Sequence, residues 1–277
     1  MEYKKNNSPE FTPSILAEKI FAITDQASSL LMKYYKQVLN VDYKKDEFDP
    51  VTIADREADS LIREQLHKEF PEDLILSEEN EFVPADYSGR VWMVDPLDGT
   101  KDFLKGRTSF GINVGLLENG VPIFGYVAIP ARNQFFYAEK DKGSFEKIGN
   151  SFKKLQVNTI TNIEESRLVT RNPSSEIRPL EEKINKMPFK EQIPEGGMGV
   201  KFSLVASGQA EAHVNTNFKA SKWDTLAPGI ILTEAGGVIT DLDGNQLDYT
   251  KPASAWERSF VIANNKITHQ KIIESLK

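Results

Sequence analysis

The chain has 277 residues, with 34 Lys and Arg residues against 41 Asp and Glu residues and a formal net charge of −7. This acidic balance argues against a protein dedicated to nucleic-acid polymers or anionic membrane surfaces, which would carry a basic footprint. With no cysteine and only three histidines, the sequence excludes disulfides, zinc–thiolate sites, iron–sulfur clusters and a cysteine nucleophile. Any chemistry therefore falls to carboxylates, hydroxyls and the backbone.

The first part of the chain predicts two amphipathic helices followed by strands. Apolar residues recur at spacings of three and four over 16–38, after Thr12 as N-cap and Pro13 as first helical residue. A second helix is predicted over 55–70, ending at Pro71. Strands are predicted over 74–76, 91–94, 110–116 (with one packed face) and 134–138, with turns at Asn119-Gly120 and Lys142-Gly143.

From about residue 155 the pattern alternates between strands and helices. The predicted strands are 167–170, 211–214, 238–240 and 260–263, and the predicted helices are 180–187, 200–207, 225–235 and 268–276. No linker rich in Gly, Ser or Pro separates the two parts of the chain. We therefore expect an α/β protein of two intimately packed halves, 1–155 and 156–277.

Acidic residues follow directly after a predicted strand. Asp95 ends the apolar run, and Asp98 follows three residues later across a turn that contains Pro and Gly. Two carboxylates this close repel each other unless a cation lies between them, and the Leu97 carbonyl can join the same cation. Gly99 and Thr100 can present backbone N–H groups to phosphate oxygens where a helix begins. Oxygen ligands that face a phosphate favour Mg²⁺. The alternative is a solvated turn that caps the following helix.

Three further acidic positions strengthen the metal interpretation. Glu78 and Glu79 follow another apolar strand, Asp224 stands at a predicted helix start, and Asp55 opens the second helix. Each alone is more typical of a helix N-cap. Together, and without histidine or cysteine among them, they indicate an oxygen-only metal site.

The order of these motifs resembles that of a known enzyme family. Asp-Pro-Val-Thr-x-x-Asp at 49–55, Ser-Glu-Glu at 77–79, Trp-x-Val-Asp-Pro-Leu-Asp-Gly-Thr-Lys at 92–101 and Lys-Trp-Asp-Thr at 222–225 resemble the Mg²⁺-dependent, lithium-sensitive inositol monophosphatase-like phosphatases. The resemblance covers about residues 45–263 and implies a layered αβαβα sandwich.

Within that superfamily, four features look most like the 3′(2′),5′-bisphosphate nucleotidases. They are Ser77 before the glutamates, Leu97, Lys101, and the run Lys-Trp-Asp-Thr-x-Ala-Pro at 222–228. Those enzymes remove the 3′-phosphate from 3′-phosphoadenosine 5′-phosphate, a by-product of sulfate assimilation. The implied reaction is direct in-line hydrolysis of a small phosphate ester, with no phosphoenzyme.

The resemblance also implies roles for individual residues. Asp55 and Thr100 match the catalytic pair that orients and deprotonates the attacking water. The implied ligands of two or three Mg²⁺ ions are Glu78, Asp95, the Leu97 carbonyl, Asp98 and Asp224. The implied substrate contacts are Glu78, Leu97, Asp98, Gly99, Thr100, Gly197 and Asp224.

Other motifs offer weaker hypotheses. The glycine-rich segment 196–199 is either a turn or an anion-binding nest near the substrate, and Phe202 excludes a dinucleotide fingerprint. Lys201, Lys219 and Lys222 are candidates to meet a second substrate phosphate. The acidic run 241–245 predicts a hairpin turn rather than a calcium loop.

Alternatives remain open at this level. An inositol monophosphatase fits the segment 229–237, although Asn217 stands where that branch has an acidic residue. Histidinol phosphate and fructose 1,6-bisphosphate are further candidate substrates, and a catalytically silent nucleotide-binding protein is a remote alternative. No apolar run approaches a signal peptide or a membrane span. We expect a cytoplasmic monomer or homodimer without integral membrane association or nucleic-acid polymer partners.

Overall fold

A computed structural model describes residues 12–43, 50–80, 83–173, 179–216, 220–251, 254–256 and 258–277. The helices are α1 (Ile15–Tyr34), α2 (Ile53–Glu69), α3 (Thr100–Leu104), α4 (Pro179–Asn185), α5 (Met198–Ala206), α6 (Lys222–Glu234) and α7 (Lys266–Leu276). None of these helices has both the length and the apolar character needed to cross a membrane.

The strands form one small pair and two larger sheets. They are β1 (Val41–Tyr43), β2 (Pro50–Thr52), β3 (Leu74–Ser77), β4 (Arg90–Asp98), β5 (Gly111–Glu118), β6 (Val121–Ile129), β7 (Gln134–Glu139), β8 (Gly143–Ile148), β9 (Ser151–Lys154), β10 (Arg167–Arg171), β11 (Glu191–Glu195), β12 (Ala212–Asn215), β13 (Val238–Asp241) and β14 (Phe260–Ala263).

The larger sheet follows the chain in the order β3-β4-β5-β6-β7-β8-β9. In this sheet β3 and β4 pair parallel, and each of the remaining neighbours pairs antiparallel. Helix α3 lies in the connection between β4 and β5. At the β5–β6 hairpin, Asn119 and Gly120 have φ angles of 51° and 78°. Positive φ at both central residues confirms the tight turn predicted there.

The second sheet has the order β11-β10-β12-β14-β13. Here β10 lies parallel to both of its neighbours, whereas β14 pairs antiparallel with β12 and β13. The strands alternate in sequence with α4, α5 and α6, which agrees with the α/β pattern predicted for this part of the chain.

Helices cover both faces of both sheets. Successive strand residues point to opposite faces, so Trp92 packs with α1 and α2, whereas Met93 packs with α5 and α6. Helices α5 and α6 also pack against the second sheet, whose other face is covered by α4 and α7. The layers therefore run α, β, α, β, α, and the predicted sandwich is confirmed.

Two glycines bring α6 close to the larger sheet. A Cβ atom at Gly115 would lie 2.7 Å from Leu226 Cγ, and one at Gly125 would lie 2.9 Å from Ala227 Cα. Only residues without a side chain leave room for this approach. The resulting core, which joins the larger sheet to Phe202 and Phe260, crosses the boundary predicted at 155 without interruption.

Several predicted element boundaries were wrong. Helix α1 is capped by Ser14, whose side chain accepts a hydrogen bond from Ala17 N, and it ends before the fully exposed Val38. The strand predicted with one packed face, now β5, is buried on both faces because α6 covers the second. Helix α6 begins at Lys222, three residues before the predicted start.

Candidate metal and phosphate site

The parallel strands β3 and β4 deliver two acids to one edge of the sheet. Ser77, the last residue of β3, pairs with Val94, so Glu78 and Asp95 both lie one residue beyond the last pair. Glu78 N donates to Val94 O at 3.1 Å, and Ser77 Oγ also lies within reach of that oxygen at 3.4 Å. The backbone therefore places the two acids side by side.

The segment between Asp95 and Asp98 differs from the predicted turn. Strand β4 continues to Asp98 with a shift of register against β5, and the turn follows at Gly99, where φ is 89°. Pro96 has no N–H to donate, which is tolerated here because the neighbouring strand β3 has already ended. The bulge keeps both aspartates on the strand that carries the site.

Three carboxylates converge at this edge. One oxygen from each of Asp95, Asp98 and Asp224 lies within 4.8 Å of the others. Asp224 is the third residue of α6, and its carboxylate accepts a hydrogen bond from Ser221 N at 2.6 Å. It is thus both a helix-capping residue and a member of the cluster.

The cluster carries unbalanced negative charge. Burial raises the pKa of Asp95 well above its usual range, and repulsion from Glu78, Asp98 and Asp224 raises it further. A hydrogen bond between Asp95 and Glu78 brings the glutamate into the same group. Burial followed by repulsion from Asp98 and Glu78 raises the pKa of Asp224 as well.

Asp98 is held by the N-terminus of α5. Met198 N donates to its Oδ1 at 2.8 Å, and Gly199 N donates to its Oδ2 at 2.6 Å. Asn113 Nδ2 on β5 adds a third donor at 3.2 Å. Burial raises the pKa of Asp98, and these hydrogen bonds together with the nearby Lys201 charge oppose the increase.

The glycine-rich segment at 196–199 makes this contact possible. A Cβ atom at Gly197 would lie 2.8 Å from Asp98 Oδ2, and one at Gly99 would lie 3.1 Å from Gly197 N. Gly197 N donates to Ser109 O at 2.8 Å, so the amides of residues 197–199 bond to protein acceptors. The predicted substrate contact of Gly197 stays a prediction.

Asp55 and Thr100 form the second part of the site. Thr100 Oγ1 donates to Asp55 Oδ1 at 3.0 Å and lies 3.1 Å from Leu97 O. The other oxygen, Asp55 Oδ2, accepts from Thr52 N at 2.8 Å and from Thr52 Oγ1 at 2.6 Å. Burial raises the pKa of Asp55, while the hydrogen bonds from Thr52 oppose the rise.

The residues at this edge fit a divalent cation with oxygen ligands. Carboxylates and the Leu97 carbonyl are the ligands that Mg²⁺ prefers. Asn113 Oδ1 is buried and has no hydrogen-bond partner among the described residues. Repelling carboxylates beside an unsatisfied polar oxygen are the environment that a bound cation stabilises.

The predicted lysines have different environments. Lys201 is 5% exposed, and Asp98, Asp102 and Asp224 are the largest sources of negative charge acting on it. Lys222 lies elsewhere: its ammonium donates to Tyr87 Oη, Tyr249 O and Lys251 O. The hypothesis that Lys222 meets a substrate phosphate is therefore wrong, since its three donors are already used.

Some predictions lie outside the described residues, namely Lys219 and Asn217. The acidic run at 241–245 is a turn in which Asp241 accepts hydrogen bonds from Asp243 N and Asn245 N. It is not the predicted hairpin turn, because β13 ends at Asp241 and its antiparallel partner β14 begins only at Phe260.

Sequence reasoning missed two parts of the site. Asn113 could have been noticed as a single polar residue inside the apolar strand β5. The backbone donors of Met198 and Gly199 carry no sequence signal beyond the glycines themselves. Their partner is about a hundred residues away, and only the tertiary fold brings them to Asp98.

Comparison with known proteins agrees with this geometry. The family model of the inositol monophosphatase family matches residues 14–277. The chain therefore belongs to the inositol monophosphatase family, a family of phosphatases that are in general Mg²⁺-dependent and act on small phosphate esters.

Relatives with different substrates match the chain about equally well. The 3′(2′),5′-bisphosphate nucleotidase CysQ of Salmonella typhimurium is 33% identical over 240 residues, which cover 85% of this chain and 94% of that protein. A fructose-1,6-bisphosphatase/inositol-1-monophosphatase of Thermotoga maritima is 31% identical over 245 residues, or 88% and 89% of the two chains. The histidinol-phosphatase of Mycobacterium tuberculosis is 30% identical over 259 residues, or 92% and 95%.

Solved structures show the same fold. The Thermotoga maritima IMPase superposes with a TM-score of 0.82 at 29% identity, covering 95% of this chain and 97% of its own. The protein is thus a phosphatase of this family.

Proposed function

We propose that the chain is a Mg²⁺-dependent phosphomonoesterase that hydrolyses the 3′-phosphate of 3′-phosphoadenosine 5′-phosphate. One observation supports the proposal that the chain hydrolyses phosphate esters. The Asp55–Thr100 pair contacts the Leu97 carbonyl, and Leu97 stands in the sequence between Asp95 and Asp98 of the acid cluster. A proton acceptor and a set of cation ligands at one place are what hydrolysis by an activated water requires.

Glu78, Asp95, Asp98, Asp224 and the Leu97 carbonyl would hold two or three Mg²⁺ ions. When bound, Mg²⁺ lowers the pKa of water and balances the charge of the transferring phosphoryl group. The cluster then loses the repulsion that raises the pKa of its members.

Thr100 and Asp55 direct the attacking water. Because Thr100 Oγ1 donates its hydrogen to Asp55, its lone pairs are free to accept a hydrogen bond from that water. The proton of the water can pass through Thr100 to Asp55 Oδ1. Thr52 anchors the other carboxylate oxygen, so Asp55 cannot rotate away from Thr100. The raised pKa of the buried Asp55 makes it a stronger proton acceptor.

Two observations support a substrate with a second phosphate. CysQ of Salmonella typhimurium matches over most of both chains. In addition, Lys201 places a buried ammonium beside the cluster. Burial lowers the pKa of Lys201, and the negative charges around it oppose this change and favour the charged form. We propose that this cation receives the 5′-phosphate, which a monophosphate substrate does not carry. Gly99, Thr100 and Gly197 are further proposed substrate contacts, with Gly197 in van der Waals contact because its amide already donates to Ser109 O.

An inositol monophosphatase is the second candidate, favoured by the Thermotoga maritima relative. Phosphate release should be measured at one Mg²⁺ concentration with 3′-phosphoadenosine 5′-phosphate, adenosine 3′-monophosphate, inositol 1-phosphate, fructose 1,6-bisphosphate and histidinol phosphate. A charge-assisted contact is worth roughly 1.5–3 kcal/mol, so we expect kcat/KM for the bisphosphate to exceed that for adenosine 3′-monophosphate about ten- to a hundredfold.

The variant Lys201→Met should reduce this ratio toward one, because it removes the contact that only the bisphosphate makes. Lithium should inhibit the reaction. Equal or faster hydrolysis of inositol 1-phosphate by the unaltered protein would replace the nucleotidase proposal with the inositol one, and release from none of the five would indicate a silent binding protein.

A further inference from the structure

A buried acid on α2 takes no part in the proposed reaction. Asp59 is 2% exposed and lies one helical turn after Asp55. Its Oδ1 accepts a hydrogen bond from Ser77 Oγ, and its Oδ2 accepts one from Arg63 Nε at 2.6 Å. Both carboxylate oxygens therefore have a partner, and one partner is the residue directly before Glu78.

Ser77 connects this acid to the end of β3. The side chain is fully buried, and its Oγ lies within reach of both Asp59 and Val94 O. Val94 O also accepts from Glu78 N at 3.1 Å. The hydroxyl thus lies at the last residue pair between β3 and β4, immediately before Glu78 and Asp95.

Helix α2 also carries Asp55, on the same helix face as Asp59. Asp55 and Asp59 are four residues apart, which places them on one face of the helix. Asp55 contacts Thr100, and Asp59 contacts Ser77. One rigid helix therefore joins the proton-accepting pair to the strand end that presents Glu78.

We propose that Asp59 is a positioning residue that acts through Ser77 to set Glu78 at the distance from Asp55 that Mg²⁺ binding requires. The inference rests on the proposed function for the role of Mg²⁺. Hydrogen bonds that orient metal ligands from outside typically change metal affinity by about 10–100-fold, and an indirect partner belongs at the low end of that range.

The test compares Ser77→Ala and Asp59→Asn with the unaltered protein. The first measurement is Tm as a function of Mg²⁺ concentration, and its midpoint is the concentration at which half of the Mg²⁺-induced rise in Tm is reached. The second is the rate of phosphate release from 3′-phosphoadenosine 5′-phosphate, and its midpoint is the Mg²⁺ concentration that gives half of the maximal rate. We expect both midpoints to rise about tenfold in each variant, with most of kcat recovered at saturating Mg²⁺. Because the two residues share one hydrogen bond, the double variant should be no worse than the more impaired single variant.

Asp73→Asn is a matched control at the other end of β3. Asp73 is also largely buried and accepts hydrogen bonds from Arg90 Nε at 3.0 Å and Trp92 Nε1 at 2.8 Å. Loss of this carboxylate in Asp73→Asn should lower Tm in chelator without changing the Mg²⁺ midpoint.

An unchanged midpoint in Ser77→Ala would overturn the proposal, as would an equal rise in Asp73→Asn. If Asp59→Asn does not fold, Ser77→Ala decides alone. If the unaltered protein releases no phosphate from any ester, the proposed function fails, whereas the Mg²⁺ dependence of Tm still tests Asp59.

Discussion

Replacing Asp95 with Asn should stabilise the protein when Mg²⁺ is removed. The variant keeps the side-chain oxygen that accepts from Leu97 N at 3.0 Å, but it removes one charge from the cluster with Asp98 and Asp224. At an effective dielectric constant of about 20, two charges about 4.8 Å apart repel by roughly 3.5 kcal/mol. Partial protonation relieves some of this repulsion, so we expect a gain of about 2–3 kcal/mol in the free energy of unfolding at pH 8, or about 4–10 °C in Tm.

The pH dependence has a defined sign. The pKa of Asp95 in the folded protein is raised above its value in the unfolded chain. Its protonated form therefore stabilises the fold at low pH, and this contribution is lost as the pH rises through the raised pKa. In the same cluster, burial and the repulsion from Asp98 and Glu78 raise the pKa of Asp224 to about 8. Thermal unfolding in chelator should therefore show the Tm of the unaltered protein falling as the pH rises toward about 8, and that of Asp95→Asn falling less.

A paired acid serves as the control. Glu211 is fully buried, but it accepts from Arg167 Nη2 at 2.7 Å. Glu211→Gln removes the same charge and should lower Tm, because an attraction is lost. If Asp95→Asn melts at or below the unaltered protein in chelator at pH 8, the repulsion argument is refuted. Phosphate release by the variant within tenfold of normal would remove Asp95 from the proposed ligands.

Three further predictions concern Thr100, Gly125 and His213. Thr100→Ala should lower kcat about 10²–10⁴-fold with an unchanged Mg²⁺ midpoint in thermal unfolding, while Thr100→Ser retains most activity because the hydroxyl remains. Gly125→Ala should cost about 1–3 kcal/mol in urea unfolding, because the added methyl overlaps α6. Gly229→Ala, whose Cβ would lie 3.4 Å from Tyr249 Oη, should be neutral or stabilising. Burial lowers the pKa of His213 to about 3, so its contribution to the free energy of unfolding should be lost as the pH falls from 6.5 toward 3. His213→Gln should weaken that acid dependence, and an unchanged pH profile of urea unfolding would contradict it.

The convergence of the acids could be predicted because it depends on local rules. Glu78 follows the apolar run of β3 and Asp95 follows that of β4, and the corresponding ends of adjacent parallel strands meet at one sheet edge. Asp55 and Asp224 each stand at the third position of a helix, where an acid caps the backbone. The two interpretations of these acids, as helix-capping residues and as site residues, are compatible. Capping uses one carboxylate oxygen and leaves the other to face the site.

The environment of the lysines could not be predicted, because it depends on distant contacts. Lys222 neighbours the motif residue Asp224 in sequence, yet the helix turns its side chain toward Tyr87 and the carbonyls of Tyr249 and Lys251. Lys201 lies on α5, whose position is set by packing between two sheets. No local pattern distinguishes these two buried ammonium groups from solvated ones.

The hydrogen bonds from α5 to Asp98 also have a consequence for the order of synthesis and folding. Asp98 meets Met198 N and Gly199 N across separations of 100 and 101 residues. During translation Glu78, Asp95 and Asp98 therefore leave the ribosome long before the backbone donors of α5 and Asp224 exist. Contacts this far apart in sequence close slowly, because a long loop must lose its entropy first. At the proposed site, the ability to retain Mg²⁺ should therefore arise late, so that cation binding reports folding of the chain through Asp224 rather than of its first half alone.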